Sequence, residues 1–383
     1  MSGRRDFIRA MLALSATSAA GASTLGLVGC SLNKRPTAFK TGVVLDPLFL
    51  EHTMDDHPEN AKRLIAIDNE LEKRGLWQKL IPIGSRKATE EELLWVHTKG
   101  YIDEIAGISE YGGGYFNPYL GDTYLTSVSF EAAKMAAGSA IEMNLAVYDR
   151  KIDNGFGLLR PPGHHALESK AMGFCLFNSD VIAAKALQKY RGVERVAILD
   201  FDVHHGNGTQ DLTINDPSIM ALSIHQHPFW PMTGGTEWVG EGEAKGTNVN
   251  CPFPPEAGDK TYLNVYDEVI APKLAEFKPQ HIIVFAGYDA HWQDPLAQHR
   301  VTVDGFNKLV QKIKNTADTL CGGRVALSLG GGYNLEPLAH SVAGTFEVLL
   351  GEPLHPDVMG KSSLPEMVYQ EEIMALKKYF FET

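Results

Sequence analysis

Five apolar runs without polar alternation constrain what this chain can fold into. They occupy residues 41–45, 195–201, 219–225, 281–286 and 325–329. Strands that are buried on both faces have this pattern, and such strands form parallel sheets covered by helices. Segments with helical periodicity lie between the runs, at 58–74, 129–148, 180–191, 262–277 and 304–320. This alternation predicts an α/β fold in which a mostly parallel sheet carries helices on both faces.

The first 30 residues predict export. Arg4 and Arg5 precede a weakly hydrophobic run, as in a twin-arginine signal peptide, and the run ends in Leu27-Val28-Gly29-Cys30, which resembles a lipoprotein cleavage box. We expect a periplasmic protein that is lipidated at Cys30 and meets the membrane only through that lipid. Residues 31–40 would be a tether and 41–383 a single domain. The alternative is a short transmembrane anchor, for which about 20 residues is the lower range.

The charge argues against one class of partner, and the cysteine content argues against two kinds of structural cross-link. The net charge is −12, and removing residues 1–30, which hold three arginines and one aspartate, lowers it to −14. Such an acidic protein is not expected to bind nucleic acid. Cys175, Cys251 and Cys321 are widely spaced and include no Cys-x-x-Cys pair. They predict neither a disulfide framework nor a structural zinc finger.

The segment from Leu199 to Thr209 concentrates carboxylates and imidazoles directly after an apolar run. Its Asp202-Val203-His204 places two side chains on one side of an extended segment, and both groups suit Zn²⁺. Asp289 follows another buried run and is the candidate third ligand. Three protein ligands with an open position are typical of a catalytic metal site. The alternative is that these side chains cap turns and helix ends.

Two adjacent histidines, His164 and His165, follow the rigid Arg160-Pro161-Pro162-Gly163 turn. Adjacent side chains diverge, so the pair suits a general base and an electrostatic partner better than joint ligation of one metal ion. Each imidazole needs a carboxylate or amide behind it to set its tautomer, and Asp200 and Asn207 are the candidates. The alternative is a solvated pair in a loop.

A glycine run, Gly330-Gly331-Gly332, follows the last apolar run and ends at Tyr333. Glycines let the backbone pass close to a ligand. No Lys-Ser/Thr follows, which excludes a phosphate-binding P-loop. Tyr333, at the end of the glycine run, is a candidate hydrogen-bond donor to a polarised carbonyl; the alternative is a tight turn whose tyrosine packs in the core.

Together these motifs resemble the histone deacetylase superfamily, which includes bacterial histone deacetylase-like amidohydrolases and acetylpolyamine amidohydrolases. The resemblance implies an arginase/deacetylase-like fold and a zinc-dependent deacetylase that hydrolyses N-acetyl or other N-acyl amides of lysine-like or polyamine substrates. It spans roughly residues 41–350. The matching segments are His57-Pro58-Glu59, Arg160 to His165, Gly173-Phe174-Cys175, Leu199 to Thr209, Gly287 to Ala290 and Gly331-Gly332-Tyr333.

Metal ligands follow from the resemblance by position. Asp202, His204 and Asp289 match the residues that bind one Zn²⁺ in the family. The family also holds a monovalent cation near the zinc. We expect a K⁺ ion there, with oxygens from Asp200, Asp202, His204 and Ser223.

Catalytic roles also follow from the resemblance. His165 matches the general base for water, and His164 matches the histidine seen as electrostatic support or proton donor. Asp200 matches the carboxylate behind the first histidine. Asn207 stands where class I members have Asp and class II members have Asn. Tyr333 matches the tyrosine that polarises the acetyl carbonyl.

Substrate contacts are implied in the same way. Phe174, which follows Gly173, and Trp230 match the two aromatic residues that line the lysine channel. Asp122 aligns with a rim carboxylate that binds the substrate backbone. Polyamine-selective members have an acidic residue after Asp-Pro, whereas this chain has the apolar Leu296.

Two other functions compete with this interpretation. Ureohydrolases of the arginase type resemble the family in fold but bind two manganese ions, typically through Asp-x-His-x-Asp. The corresponding turn here, Asp202 to Gly206, lacks the second carboxylate, so one metal is expected. The other alternative is a non-catalytic protein that binds acyl amides.

Overall fold

An eight-stranded sheet is the centre of the computed structural model, which describes residues 39–116 and 121–382. Its strand order is β2-β1-β5-β10-β9-β6-β7-β8, every pairing in it is parallel, and β3 and β4 form a separate antiparallel pair. All five predicted strands are present. The strands are β1 Thr41–Val44, β2 Ile81–Pro82, β3 Gly113–Tyr115, β4 Tyr124–Thr126, β5 Asn154–Gly157, β6 Val196–Asp200, β7 Ile219–Gln226, β8 Asn248–Phe253, β9 His281–Ala286 and β10 Val325–Leu329.

Helices flank this sheet, which confirms the predicted α/β fold. A π-helical segment, Tyr266–Ile270, joins α8 to α9, and short 3₁₀ helices lie at Trp77–Lys79 and Gly242–Ala244. The α-helices are α1 Leu48–Glu51, α2 Lys62–Lys73, α3 Glu90–Leu93, α4 Lys99–Glu110, α5 Ser129–Tyr148, α6 Ser179–Arg191, α7 Asn207–Thr213, α8 Asp259–Val265, α9 Ala271–Phe277, α10 Val303–Cys321, α11 Leu335–Leu350 and α12 Gln370–Phe381.

The predicted export signal at 1–30 and residues 31–38 of the predicted tether lie outside the described residues. Within the part that the structure describes, no helix combines the length and the apolar character needed to cross a membrane. Cys175, Cys251 and Cys321 are buried and have free thiols.

Two helix predictions had wrong boundaries. The helix predicted at 58–74 begins at Lys62, because Asn60 accepts a hydrogen bond from the Lys62 amide at 2.9 Å and Pro58 lies in the preceding turn. Its predicted end is confirmed, since Gly75 follows the helix with a φ of +64°. The helix predicted at 262–277 starts earlier, at Asp259, and the π-helical segment interrupts it.

The sequence patterns missed the short strands β2, β3 and β4, and they also missed β5 and β8. Strand β5 reads Asn-Gly-Phe-Gly, a composition that disfavours strands. A Cβ on its Gly155 would lie 2.2 Å from Met143 Sδ of α5, so glycine leaves room here for the methionine side chain. Strand β8 includes Pro252 and lies at the edge of the sheet, where a missing backbone donor is tolerated.

The carboxyl edge of the sheet collects the polar motifs. The loops after β5, β6, β7, β9 and β10 hold the tandem histidines, Asp202 and His204, Trp230, Asp289 and Tyr333, respectively. Four of these strands, β5, β10, β9 and β6, are neighbours in the sheet and β7 follows β6. Because parallel strands end on the same edge, residues far apart in sequence meet there.

A buried ion cluster connects the N-terminal half of the chain to this edge. Glu59 accepts hydrogen bonds from Arg160 Nε at 2.5 Å and Nη2 at 2.7 Å, and from Arg63 Nη1 at 3.1 Å. All three side chains are fully buried. Arg63 also donates to the carbonyls of Gly332 at 2.8 Å and Gly330 at 2.5 Å. The cluster therefore holds the glycine run that precedes Tyr333.

Replacing Glu59 should be strongly destabilising. Glu59→Gln leaves two buried guanidinium groups without a carboxylate, and we expect a loss of about 3–5 kcal/mol in the free energy of unfolding at pH 7. Urea unfolding followed by circular dichroism measures this loss. Glu142→Gln, which removes the half-exposed partner of Arg86, is the control and should cost at most about 1 kcal/mol.

The cost of Glu59→Gln should also depend on pH. Burial raises the pKa of Glu59, but Arg160 and Arg63 outweigh burial and lower it from 4.5 to about 2. The contribution of the ionised carboxylate is therefore complete above pH 4.5 and decreases as the pH falls towards 2. A difference between wild type and variant that stays constant from pH 6 to pH 3 would contradict this assignment.

Candidate active site

Three side chains form a candidate metal site at the carboxyl edge. Asp202 and His204 follow β6, Asp289 follows β9, and one ligand atom from each lies within 4.8 Å of the others. His204 Nδ1 is 3.2 Å from Asp202 Oδ1 and 3.0 Å from Asp289 Oδ2. Both carboxylates are buried and the imidazole nearly so. The structure therefore brings together the three ligands that the sequence predicted.

Backbone amides hold the two carboxylates in place. Asp202 Oδ2 accepts a hydrogen bond from the Gly331 amide at 2.7 Å, and Asp202 Oδ1 accepts one from the His204 amide at 3.0 Å. Asp289 Oδ1 accepts one from the Val203 amide at 2.9 Å. A Cβ at Gly331 would lie 2.2 Å from Asp289 Oδ2, so only glycine allows this loop to approach the carboxylates.

The charges in this cluster favour a cation. Burial and the neighbouring Asp202 raise the pKa of Asp289 to about 7. Burial lowers the pKa of His204, but hydrogen bonds to Asp202 and Asp289 outweigh burial and raise that pKa to about 10. A proton on the imidazole thus compensates the two carboxylates. A metal ion bound in its place would do the same and would release the proton.

The donor set fits a zinc-like divalent metal. Two carboxylate oxygens and one imidazole nitrogen are ordinary zinc ligands, and bonds of about 2.0–2.2 Å place neighbouring ligand atoms about 3.3 Å apart. The observed separations of 3.0 and 3.2 Å are close to this value. Three protein ligands leave an open position for a reacting group.

The tandem histidines lie beside the metal site and have different partners. His164 Nδ1 is 2.8 Å from Asp200 Oδ2, and His165 Nδ1 is 2.7 Å from Asn207 Oδ1. The two rings are 3.8 Å apart, and His164 stacks on Phe285 of β9 at 4.0 Å. These are the two pairings that the sequence predicted.

The two histidines differ in protonation. Burial lowers the pKa of His164, but the Asp200 and Asp202 carboxylates outweigh burial and raise that pKa above its ordinary value. Burial and the adjacent His164 lower the pKa of His165 well below its ordinary value. His165 is therefore neutral near pH 7. Because the Asn207 oxygen only accepts, the His165 proton is on Nδ1 and Nε2 is free to accept a proton.

Tyr333 is half-buried next to the candidate metal site, with its hydroxyl protonated. Burial and the nearby Asp289 raise the pKa of Tyr333 well above its ordinary value. The Arg63 guanidinium lies 5.2 Å from the centre of its ring. The Tyr333 amide donates to Asp294 Oδ2 at 2.7 Å. Asp294 is a positioning residue that the sequence predictions missed, and its only signal was the Asp-Pro pair.

Aromatic side chains form the approach to the site. The Trp230 ring packs edge-on against His165 at 4.7 Å and His204 at 5.8 Å, and Phe174 packs against Tyr333 at 5.7 Å. Phe229, which the sequence predictions missed, stacks on His204 at 5.3 Å. The adjacent aromatic pair at 229–230 was the signal that could have indicated it.

The predicted rim residues lie around this approach. Asp122 Oδ1 accepts a hydrogen bond from the Gly173 amide at 3.1 Å, so this carboxylate supports the turn that precedes Phe174. Gly173 has a φ of +55°, and a Cβ there would lie 2.2 Å from the His165 ring. Leu296 is half-buried, and its amide donates to Asp294 Oδ1 at 3.0 Å.

Two further polar residues near this edge, His205 and Ser223, have hydrogen-bond partners of their own. His205 Nδ1 lies 2.8 Å from Thr233 Oγ1, and its ring packs at 4.7 Å from that of His225. Ser223 pairs with Asp200 across β6 and β7, and its hydroxyl lies 2.8 Å from His225 Nδ1. His205 thus packs against Thr233 and His225 and is not among the candidate metal ligands.

Comparison with known proteins identifies relatives across most of the chain. Residues 57–349 match the family described as Histone deacetylase domain. The chain is 40% identical over 341 residues to histone deacetylase 10, chloroplastic, of Oryza sativa subsp. japonica, covering 85% of this chain and 76% of that protein. It is 36% identical over 342 residues to a probable deacetylase of Archaeoglobus fulgidus, covering 88% and 94%, respectively.

A solved structure has the same fold. The crystal structure of the HDA15 HD domain aligns with a TM-score of 0.81 at 35% sequence identity, covering 91% of this chain and 95% of that one.

Metal binding should stabilise the protein through the three candidate ligands. Adding Zn²⁺ to chelator-treated protein at 100 times its dissociation constant should raise the free energy of unfolding by about 2.7 kcal/mol. Asp289→Asn should lose most of this gain because it removes a charged ligand. Asp259→Asn, which changes a half-buried carboxylate bonded to Thr302, is the control and should keep the gain. Equal zinc stabilisation of wild type and Asp289→Asn in thermal denaturation would contradict the ligand assignment.

Proposed function

The chain belongs to the histone deacetylase family, and we propose that it is a zinc-dependent deacetylase that acts on N-acetyl or other N-acyl amides of lysine-like or polyamine substrates. Membership confirms the resemblance of the sequence motifs and makes the protein a hydrolase of the deacetylase type. One observation carries the finer proposal: candidate metal ligands, a neutral histidine base and a protonated tyrosine meet in one largely buried site.

The aromatic approach suits a linear substrate. Phe174 and Trp230 present apolar ring surfaces beside Tyr333 and His165, respectively. A chain of methylene groups buries well between such surfaces, as in a lysine side chain or a polyamine. The acyl amide at its end would then reach the metal ligands.

Each reacting group has a partner in the structure. Bound zinc would supply Lewis acidity towards the amide carbonyl and would lower the pKa of water. His165 Nε2 takes the proton of the attacking water, because its Nδ1 is engaged by Asn207. The Tyr333 hydroxyl donates a hydrogen bond to the carbonyl oxygen as negative charge develops there. A histidine of the tandem pair returns a proton to the departing amine.

The alternatives receive no support from this geometry. A binuclear ureohydrolase needs further metal ligands, whereas the neighbouring Asp200 is hydrogen-bonded to His164 and the neighbouring His205 to Thr233. A non-catalytic binding protein has no need for a general base held in one tautomer. The matched family is described as Histone deacetylase domain, and the two relatives are named as a histone deacetylase and a probable deacetylase.

Two further proposals concern a second bound ion and the location of the protein in the cell. A K⁺ site near Asp200, Asp202, His204 and Ser223 is supported by the pairing of Asp200 with Ser223 across β6 and β7. Export by the twin-arginine route, with a lipid at Cys30, is supported by the sequence of residues 1–30. In the periplasm the substrate would be a small molecule or a peptide carrying an N-acyl amine.

Removing the Tyr333 hydroxyl tests the proposal. Tyr333→Phe should lower kcat on a fluorogenic acetyl-lysine substrate by about two to three orders of magnitude, the usual cost of losing an oxyanion donor. The assay is run on zinc-loaded enzyme, and a chelator should abolish activity. Tyr288→Phe is the control, since it removes another buried tyrosine hydroxyl, bonded to Thr345 at 2.8 Å. Near-wild-type activity of Tyr333→Phe would reject the assigned role.

Leu296 should determine the preference between lysine-like and polyamine substrates. Asp294 binds the amides of both Leu296 and Tyr333, so Leu296 lies next to the tyrosine loop. Leu296→Glu adds a carboxylate there, and a charge-assisted contact of about 1.5–3 kcal/mol should raise kcat/KM for acetylated polyamines about ten- to a hundredfold relative to acetyl-lysine peptides. Leu296→Gln should change this ratio much less. An unchanged ratio in Leu296→Glu would place residue 296 outside the substrate path.

A further inference from the structure

The side-chain amide of Asn207 has a different partner at each end. Its Oδ1 lies 2.7 Å from His165 Nδ1, and its Nδ2 donates to Met172 Sδ at 3.5 Å. A thioether sulfur accepts hydrogen bonds weakly and donates none. Met172 therefore accommodates the amino group of Asn207 and disfavours its carbonyl oxygen.

The orientation of this amide determines where His165 carries its proton. In the observed orientation, the Asn207 oxygen accepts from Nδ1–H and leaves Nε2 unprotonated. In the reversed orientation, Nδ2 would donate to Nδ1 and the proton would move to Nε2. That tautomer has no basic nitrogen on the side that must accept a proton. An aspartate in this position would have no such ambiguity, because both of its oxygens accept.

The sulfur of Met172 belongs to the turn that leads to the aromatic approach. The Met172 carbonyl accepts the Cys175 amide at 3.0 Å, which closes a tight turn around Gly173 and Phe174. The side chain is half-buried. The turn thus fixes the backbone position from which the Met172 side chain reaches Asn207.

We propose that Met172 is a positioning residue that sets the orientation of the Asn207 amide and so keeps the His165 proton on Nδ1. The proposal rests on the proposed function, in which His165 Nε2 is the base. Met172 acts through Asn207 alone, so its effect should exist only while residue 207 is an amide.

A double-mutant cycle tests this dependence. Met172→Leu keeps an apolar side chain but removes the sulfur, and we expect kcat to fall about two- to fivefold with KM unchanged, because only the fraction of molecules with the competent tautomer reacts. In an Asn207→Asp background, the same substitution should leave kcat at the value of Asn207→Asp alone. Met135→Leu, a half-buried methionine of α5, is the matched control in both backgrounds.

A second measurement reads the tautomer directly. In ¹⁵N-histidine-labelled protein, the His165 signals should show a protonated Nδ1 in wild type and increased protonation of Nε2 in Met172→Leu. An equal loss of kcat in both backgrounds, or an unchanged His165 spectrum, would overturn the role of Met172. The spectrum needs no substrate, so it remains decisive if wild-type enzyme fails to hydrolyse any N-acyl amine, a result that would reject the proposed function instead.

Discussion

The repulsion between two buried carboxylates is the constraint on which the rest of this site depends. Asp202 and Asp289 both contact His204 Nδ1, at 3.2 and 3.0 Å. Burying like charges together is costly unless donors or a cation compensate them. The amides of Val203, His204 and Gly331 supply part of the compensation. A divalent cation in the place of the imidazole proton would complete it, so the same arrangement that opposes folding favours the binding of a cation.

A second buried cluster, in which cations outnumber carboxylates, supports the candidate metal site through the glycine loop before Tyr333. Arg63 and Arg160 surround the single carboxylate of Glu59, and Arg63 uses its remaining donors on the carbonyls of Gly330 and Gly332. Between these carbonyls, the Gly331 amide points the other way, to Asp202. The glycine run is thus held from two sides by opposite ends of its peptide groups. This explains how a flexible sequence can place Tyr333 with precision.

Sequence patterns predicted the parts of this molecule that depend on local burial. Strands buried on both faces appear as apolar runs, and because parallel strands end on one edge, the polar residues after them could be assigned to one site. Strands β5 and β8 escaped prediction because glycine packing and edge position determine them. Helix α11 escaped because it is buried on nearly all sides and lacks a polar face. Asp294 and Arg63 act through backbone atoms of distant loops, and such contacts have no sequence pattern.

The tandem histidines show how different hydrogen-bond partners give two identical side chains different pKa values. A carboxylate behind His164 raises its pKa, whereas an amide behind His165 leaves burial and the charge of His164 to lower its pKa. An acid and a base can therefore stand 3.8 Å apart at the same pH. The Asn207 amide leaves His165 a neutral base, but the amide can flip and exchange the positions of its oxygen and its nitrogen. A carboxylate has no such second orientation, because both of its oxygens accept. A site that uses Asn207 consequently requires a third group to fix that amide, and the sulfur of Met172 is in contact with it.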